Sequence, residues 1–280
     1  MMTDGRDDAW LDAAIEREEA RCGGEISLEA RSLTGTFAAS RHAARQVTSA
    51  SVVKLPILLA AALLVERGSV GWTDQLELRD DGKVPGSGVL TQLTPGLTLS
   101  LRDACCLMTT VSDNTATNLV IDHVGLDRIN QEIERFGLAG TRVFRKVFHD
   151  DDPAKPNPFG FGVVTARDMA LLLSQLHTGQ GMSPGSRTEM LKMLEQQYYR
   201  DGIPRLLPDG WSYAGKTGAV DDVRNDVGLV TSPAGGCMAL AIFVQKLPKV
   251  LWTADNPGLL AIANLAREIC GRCSEAGADG

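Results

Sequence analysis

Three short stretches of this sequence place side chains that can carry out acyl transfer. Ser51-Val52-Val53-Lys54 sets a hydroxyl and an amine three positions apart, a spacing that on a helix puts both on one face. The amine can take the hydroxyl proton once partial burial lowers its pKa, which makes the serine a nucleophile. At a helix start, the free N–H of Ser51 also faces the oxyanion that such an attack develops. Ser112-Asp113-Asn114 lines up a hydroxyl, a carboxylate and an amide. Ser112 suits a proton relay between Lys54 and a leaving nitrogen, and Asn114 a hydrogen bond to a substrate amide. Lys216-Thr217-Gly218 offers a cation and a hydroxyl to a substrate carboxylate, and Gly218 lets substrate approach the backbone closely. The N–H of Ala219 then completes an oxyanion hole with that of Ser51. Each stretch alone has an ordinary reading: a helix start with a solvated lysine, a helix cap, a strand-to-turn junction.

These residues need elements to hold them. Apolar periodicity predicts helices over 9–22, 52–67, 101–108, 115–123, 126–136, 165–177, 187–196 and 257–270. Glycine and proline separate them at Gly68, Pro85-Gly86, Pro95-Gly96, Gly125 and Pro184-Gly185. Strand patterns occur at 26–33 and 36–40, as a hairpin, and again at 212–216, 227–230 and 238–244. Residues 145–164 are rich in Asp, Pro, Gly and Phe and have no period, which predicts a long irregular loop of the kind that carries function. The expected class is α+β: one unit over 1–280, with an antiparallel sheet flanked by helices plus an all-helical lobe. Residues 1–48 and 200–280 are assigned to the α/β lobe and 49–199 to the helical lobe, with the site between them.

Composition narrows the function. The 280 residues are 44% hydrophobic and 22% charged, with a formal net charge of −7, so nucleic acid has no electrostatic support as a partner. No apolar run reaches the roughly 18 residues that span a bilayer. The acidic start, Met1-Met2-Thr3-Asp4-Gly5-Arg6-Asp7-Asp8, is unlike a secretory leader. It predicts a cytoplasmic chain, or a secreted or periplasmic one from which a leader was removed. The six cysteines (Cys22, Cys105, Cys106, Cys237, Cys270, Cys273) lack disulfide-framework spacing, and Cys270–Cys273 is a lone C-x-x-C with no nearby histidine. His42, His123 and His177 have no metal-ligand spacing. No metal or cofactor is expected, and the partner is a small molecule acting on a monomer or weak oligomer.

In this order, S-x-x-K, S-D-N and K-T-G resemble the class A β-lactamase and penicillin-binding-protein superfamily. Ala50–Leu55, Ser112–Asn118, Thr165–Ala170 and Asp226-Val227-Gly228 strengthen the likeness, which spans nearly the whole chain. It implies a β-lactamase-like fold and a serine acyl-enzyme formed from a β-lactam amide. One departure matters. Class A enzymes carry on the loop before the Thr165 helix a glutamate that activates the deacylating water. Here that loop reads Phe148-His149-Asp150-Asp151-Asp152-Pro153-Ala154-Lys155-Pro156-Asn157, without glutamate. His149, Asp150 and Asp152 are the candidate substitutes. Without one, acylation proceeds while hydrolysis lags, so a DD-peptidase or esterase, and a non-turnover penicillin-binding sensor or sink, stand as alternatives. Arg224 is a candidate carboxylate counter-ion, and Ser87 a candidate for the mouth of the site.

Overall fold

A computed structural model describes residues 9–149 and 157–276. Helix α1 (Ala9–Cys22) precedes the hairpin of β1 (Glu25–Ser32) and β2 (Ala38–Arg41). Strand β3 (Val47–Thr48) and a 3₁₀ turn (Ala50–Val53) lead into α2 (Lys54–Glu66). Next come β4 (Gln75–Glu77), β5 (Thr98–Ser100), α3 (Leu101–Thr110), α4 (Asn114–Val124) and α5 (Leu126–Arg135). Strands β6 (Arg142–Val143) and β7 (Gly162–Val164) precede α6 (Ala166–Thr178) and α7 (Pro184–Glu195). The chain then returns to strands β8 (Ser212–Val220), β9 (Val223–Thr231) and β10 (Cys237–Gln245), and to helix α8 (Pro257–Ala276).

The main sheet is antiparallel with order β2-β1-β10-β9-β8, so both ends of the chain build it and the α+β expectation holds. The reason lies in the two-residue period of a strand. In β10, Met238, Leu240, Ile242 and Val244 share a core with Leu11 and Ile15 of α1 and Ile262 and Leu265 of α8. The alternate residues Ala239, Ala241 and Phe243 belong to a second core with α2, α4 and α6. Covered on both faces, β10 loses the polar alternation of a half-exposed strand. Helix α2 is buried from Lys54 through Leu64, as a helix that is apolar all round must be. Pro56 falls in its first turn, where no helical N–H partner is lost.

The differences from expectation are local. Strands β8 and β9 run well beyond the predicted 212–216 and 227–230, because glycine, lysine and asparagine break the apolar pattern where the sheet continues. The 145–164 stretch ends in β7, which pairs with β3 and β6. Strands of two or three residues are too short to show a period. This small sheet brings the end of the loop against the segment just before Ser51.

Candidate active site

Ser51 is half-buried in the 3₁₀ turn that leads into α2. Neighbouring backbone fastens that turn. Ser49 donates to Gly162 O from its N–H (3.1 Å) and its hydroxyl (2.7 Å). From β9, Asn225 Nδ2 donates to Thr48 O (2.9 Å) and Ser49 O (3.1 Å). Between them Ala50 is held at φ +44°, a strained region for a non-glycine residue that only a well-fixed surrounding sustains.

One turn on, Lys54 is fully buried. Its Nζ donates to Ser112 O (2.8 Å), Ser112 Oγ (3.2 Å) and Asn114 Oδ1 (2.7 Å). Burial pulls its pKa well below the ordinary lysine value, the nearby Lys216 charge pulls it further, and Asp113 opposes both. Ser112 stands at φ +55° between α3 and α4. Asp113 caps α4 through Ala116 N (2.8 Å), and its other oxygen accepts from Val89 N (2.6 Å) and Leu90 N (2.9 Å). That grip requires Gly88, at φ +107°, because a Cβ there would stand 2.2 Å from the carboxylate. Asn114 Nδ2 donates to Pro85 O (2.9 Å), and its N–H to Ser87 O (3.0 Å). The predicted mouth residue Ser87 is exposed and meets the site through this carbonyl.

The third motif lies on β8, the edge of the sheet. Gly215 O accepts from Gln197 Nε2 (3.3 Å) and Thr217 O from Lys216 Nζ (2.8 Å), both donors lying outside β9. The antiparallel ladder alternates, so the N–H of Ala219 shares that free edge. Gly218 lies against the Ser51 turn, where a Cβ would stand 2.9 Å from Ser49 O, Ser51 N and Val52 N. Lys216 is fully buried, which lowers its pKa to about 7, with Asp226 opposing the shift. Asp226 is itself raised by burial, against hydrogen bonds from the Tyr213 hydroxyl and Ile203 N–H. Thr217 is half-buried beside Lys216.

Arg224 is a correction. It alternates with Asn225, so its side chain leaves the sheet on the α8 face, against Gly258. Its guanidinium donates to Val220 O (2.5 Å), Val223 O (2.6 Å) and Leu251 O (2.6 Å) and lies 4.6 Å over the Trp252 ring. Held there by Nη1 and Nη2, the guanidinium lies on the face of the sheet away from the Lys216 side chain. His149 is exposed and is the last described residue before the gap; Asp150 and Asp152 lie outside the described residues. A cavity of about 460 Å³ lined by His177, Glu195 and Tyr213 sits elsewhere, at the start of β8.

Ser51, Lys54, Ser112, Asn114 and Lys216 thus meet where a helix start, an inter-helical turn and a sheet edge converge. Residues 10–272 match the model of the beta-lactamase enzyme family. The chain belongs to that family. A beta-lactamase of Rhodobacter capsulatus is 25% identical over 242 residues, covering 84% of this chain and 80% of that protein. The solved beta-lactamase from Sphaerobacter thermophilus is 34% identical at a TM-score of 0.85, covering 96% of this chain and 98% of that one. A variant of PBP-A, solved as its acyl-enzyme complex with penicillin G, is 26% identical at a TM-score of 0.82, covering 95% and 97%. This β-lactamase-family chain is a serine β-lactamase-like hydrolase.

Its structure adds residues that sequence reasoning missed. Besides Asn225, buried Asn118 accepts from Val147 N (2.8 Å) and donates to Val147 O (3.0 Å), tying α4 to the loop before Phe148. The available signal was an amide one turn beyond Asn114, on the same face of α4; once buried it must find partners. Asn118→Ala leaves both Val147 groups unpaired and is expected to destabilise this β-lactamase-family fold by about 2–4 kcal/mol. Urea unfolding checks this, with Asn118→Asp, which keeps only the acceptor, expected to fall between.

Proposed function

We propose that the chain forms a covalent acyl-enzyme with β-lactams through Ser51, and that the lactam amide is its substrate bond. The Ser51 Oγ–carbonyl bond forms and the lactam C–N bond breaks. The hydroxyl proton passes to Lys54 and through Ser112 to the departing nitrogen, leaving an ester on Ser51; water then releases the opened product. The N–H groups of Ser51 and Ala219 hold the oxyanion, Asn114 receives the acyl amide, and Lys216 with Thr217 receives the substrate carboxylate. The observation that carries this reading is Lys54 Nζ joining Ser112 and Asn114 immediately after the Ser51 turn.

Intact-protein mass spectrometry over time, with a penicillin and a chromogenic cephalosporin, tests it. A transient adduct with product release supports a turning-over β-lactamase. A persistent adduct supports the second reading, a penicillin-binding protein that deacylates slowly. That reading is favoured by the absence of glutamate over 145–165 and by the likeness to PBP-A. No adduct on either compound overturns both and points to a small ester or amide.

The two lysines set opposite pH limbs. Lys54 must be neutral to accept a proton, so its lowered pKa brings acylation up as pH rises. Lys216 must be charged to hold a carboxylate, so a pKa of about 7 takes kcat/KM down as pH rises through that value. A bell-shaped profile is expected. Lys216→Arg keeps its charge at every accessible pH and is expected to remove the basic limb; a limb that stays put takes Lys216 out of substrate binding.

A further inference from the structure

Phe148 is an aromatic residue that the fold holds out of its core. It is 60% exposed and adopts φ +57°, a conformation unusual for a bulky side chain and sustained only where its surroundings fix it. The fixing is visible one residue earlier, in the two hydrogen bonds between Asn118 and Val147. The ring lies over the loop that carries Gly86. A Cβ on Gly86 would stand 3.2 Å from Phe148 Cε2 and 2.7 Å from Asn114 Nδ2. The ring edge and the Asn114 amide therefore flank Gly86 so closely that a methyl group would not fit between them. On the other flank of the loop, the Tyr199 hydroxyl meets the side chain of Ser87, and Tyr198 packs edge-on to Tyr199 at 5.7 Å.

Strain, exposure and an apolar face beside the amide-binding group have one economical explanation. We propose that Phe148 is a specificity-determining residue, the platform for a flat apolar group on the acyl side of the substrate. This rests on the acyl-transfer reading above, in which Asn114 binds the acyl amide; a side chain attached beyond that amide then lies over the Phe148 ring. Aryl-bearing acyl groups are selected over small ones by offset stacking and burial of the exposed ring face. Glycine at 86 lets ring and amide stand this close, since a side chain there would force one of them away.

The test compares acylation rate constants for penicillin G, which carries a phenylacetyl group, with those for 6-aminopenicillanic acid, which carries none. Wild type, Phe148→Ala, Phe148→Tyr and Phe148→Gly are measured, the last because glycine accepts the positive φ without strain. The wild type is expected to prefer penicillin G. Phe148→Ala and Phe148→Gly are expected to lower that preference about tenfold, and Phe148→Tyr to retain it. A purely structural role would slow both compounds alike and leave the ratio unmoved, which overturns the proposal. Faster acylation of both by Phe148→Gly also overturns it, since the ring would then be an obstruction. If the wild type is acylated by neither compound, the β-lactam reading falls and this inference falls with it.

Discussion

Ser51→Ala is expected to fold as the wild type does and to take up no covalent adduct from any β-lactam. The substitution removes one oxygen from a half-buried position. The turn keeps its shape through other groups: Ser49 on Gly162 and Asn225 on Thr48 and Ser49. What disappears is the atom that bonds to the carbonyl, so the acyl-enzyme route closes and turnover drops by at least about 10⁴-fold. Intact mass after incubation with penicillin reads the adduct, and thermal unfolding confirms the fold. Labelling that survives in Ser51→Ala would sink the nucleophile assignment.

Lys54→Met is the second large effect, with acylation expected to slow by about 10²–10⁴-fold. Methionine is preferred to alanine because Lys54 is fully buried and truncation would leave a cavity. Even so, Ser112 O, Ser112 Oγ and Asn114 Oδ1 lose their donor, so some stability is lost, at about 1–3 kcal/mol for each group left dry. Removal of a buried amine that burial already drives toward neutrality offsets part of this. Stopped-flow acylation with a chromogenic cephalosporin measures the rate. On the acid side of the profile, raising the pH accelerates the wild type as Lys54 deprotonates; Lys54→Met is expected to lose that limb and keep the basic one set by Lys216. An acylation rate equal to the wild type's would remove Lys54 from proton transfer.

The parts legible in the sequence are those fixed by local geometry. Lys54 follows Ser51 by one helical turn, Asp113 caps the helix it precedes, and the unbroken apolar run in β10 marks a strand packed on both faces. These depend on neighbours within a few residues. The parts that escaped depend on distant partners. Nothing near Asn225 reveals that its amide reaches Thr48 and Ser49, nor does anything near Asn118 reveal Val147. Arg224 illustrates the same limit, since its distance from Lys216 along the chain says nothing about which sheet face receives it. That is settled by the β8–β9 register, which pairs Ala219 with Arg224 and Lys216 with Val227. The candidate bases Asp150 and Asp152 fall outside the described residues, so the deacylation step has its expectation in composition alone.

The free edge of β8 gives adjacent positions unequal evolutionary latitude. At Ala219 the proposed oxyanion contact uses the main-chain N–H while the side chain is exposed, so drift in side-chain identity there leaves that N–H in place. At Gly218 any added carbon meets the backbone of the Ser51 turn. One residue is therefore locked and its neighbour is free to vary, and a lineage exploring new substrates can remodel the rim at 219 without dismantling the machinery that makes the ester.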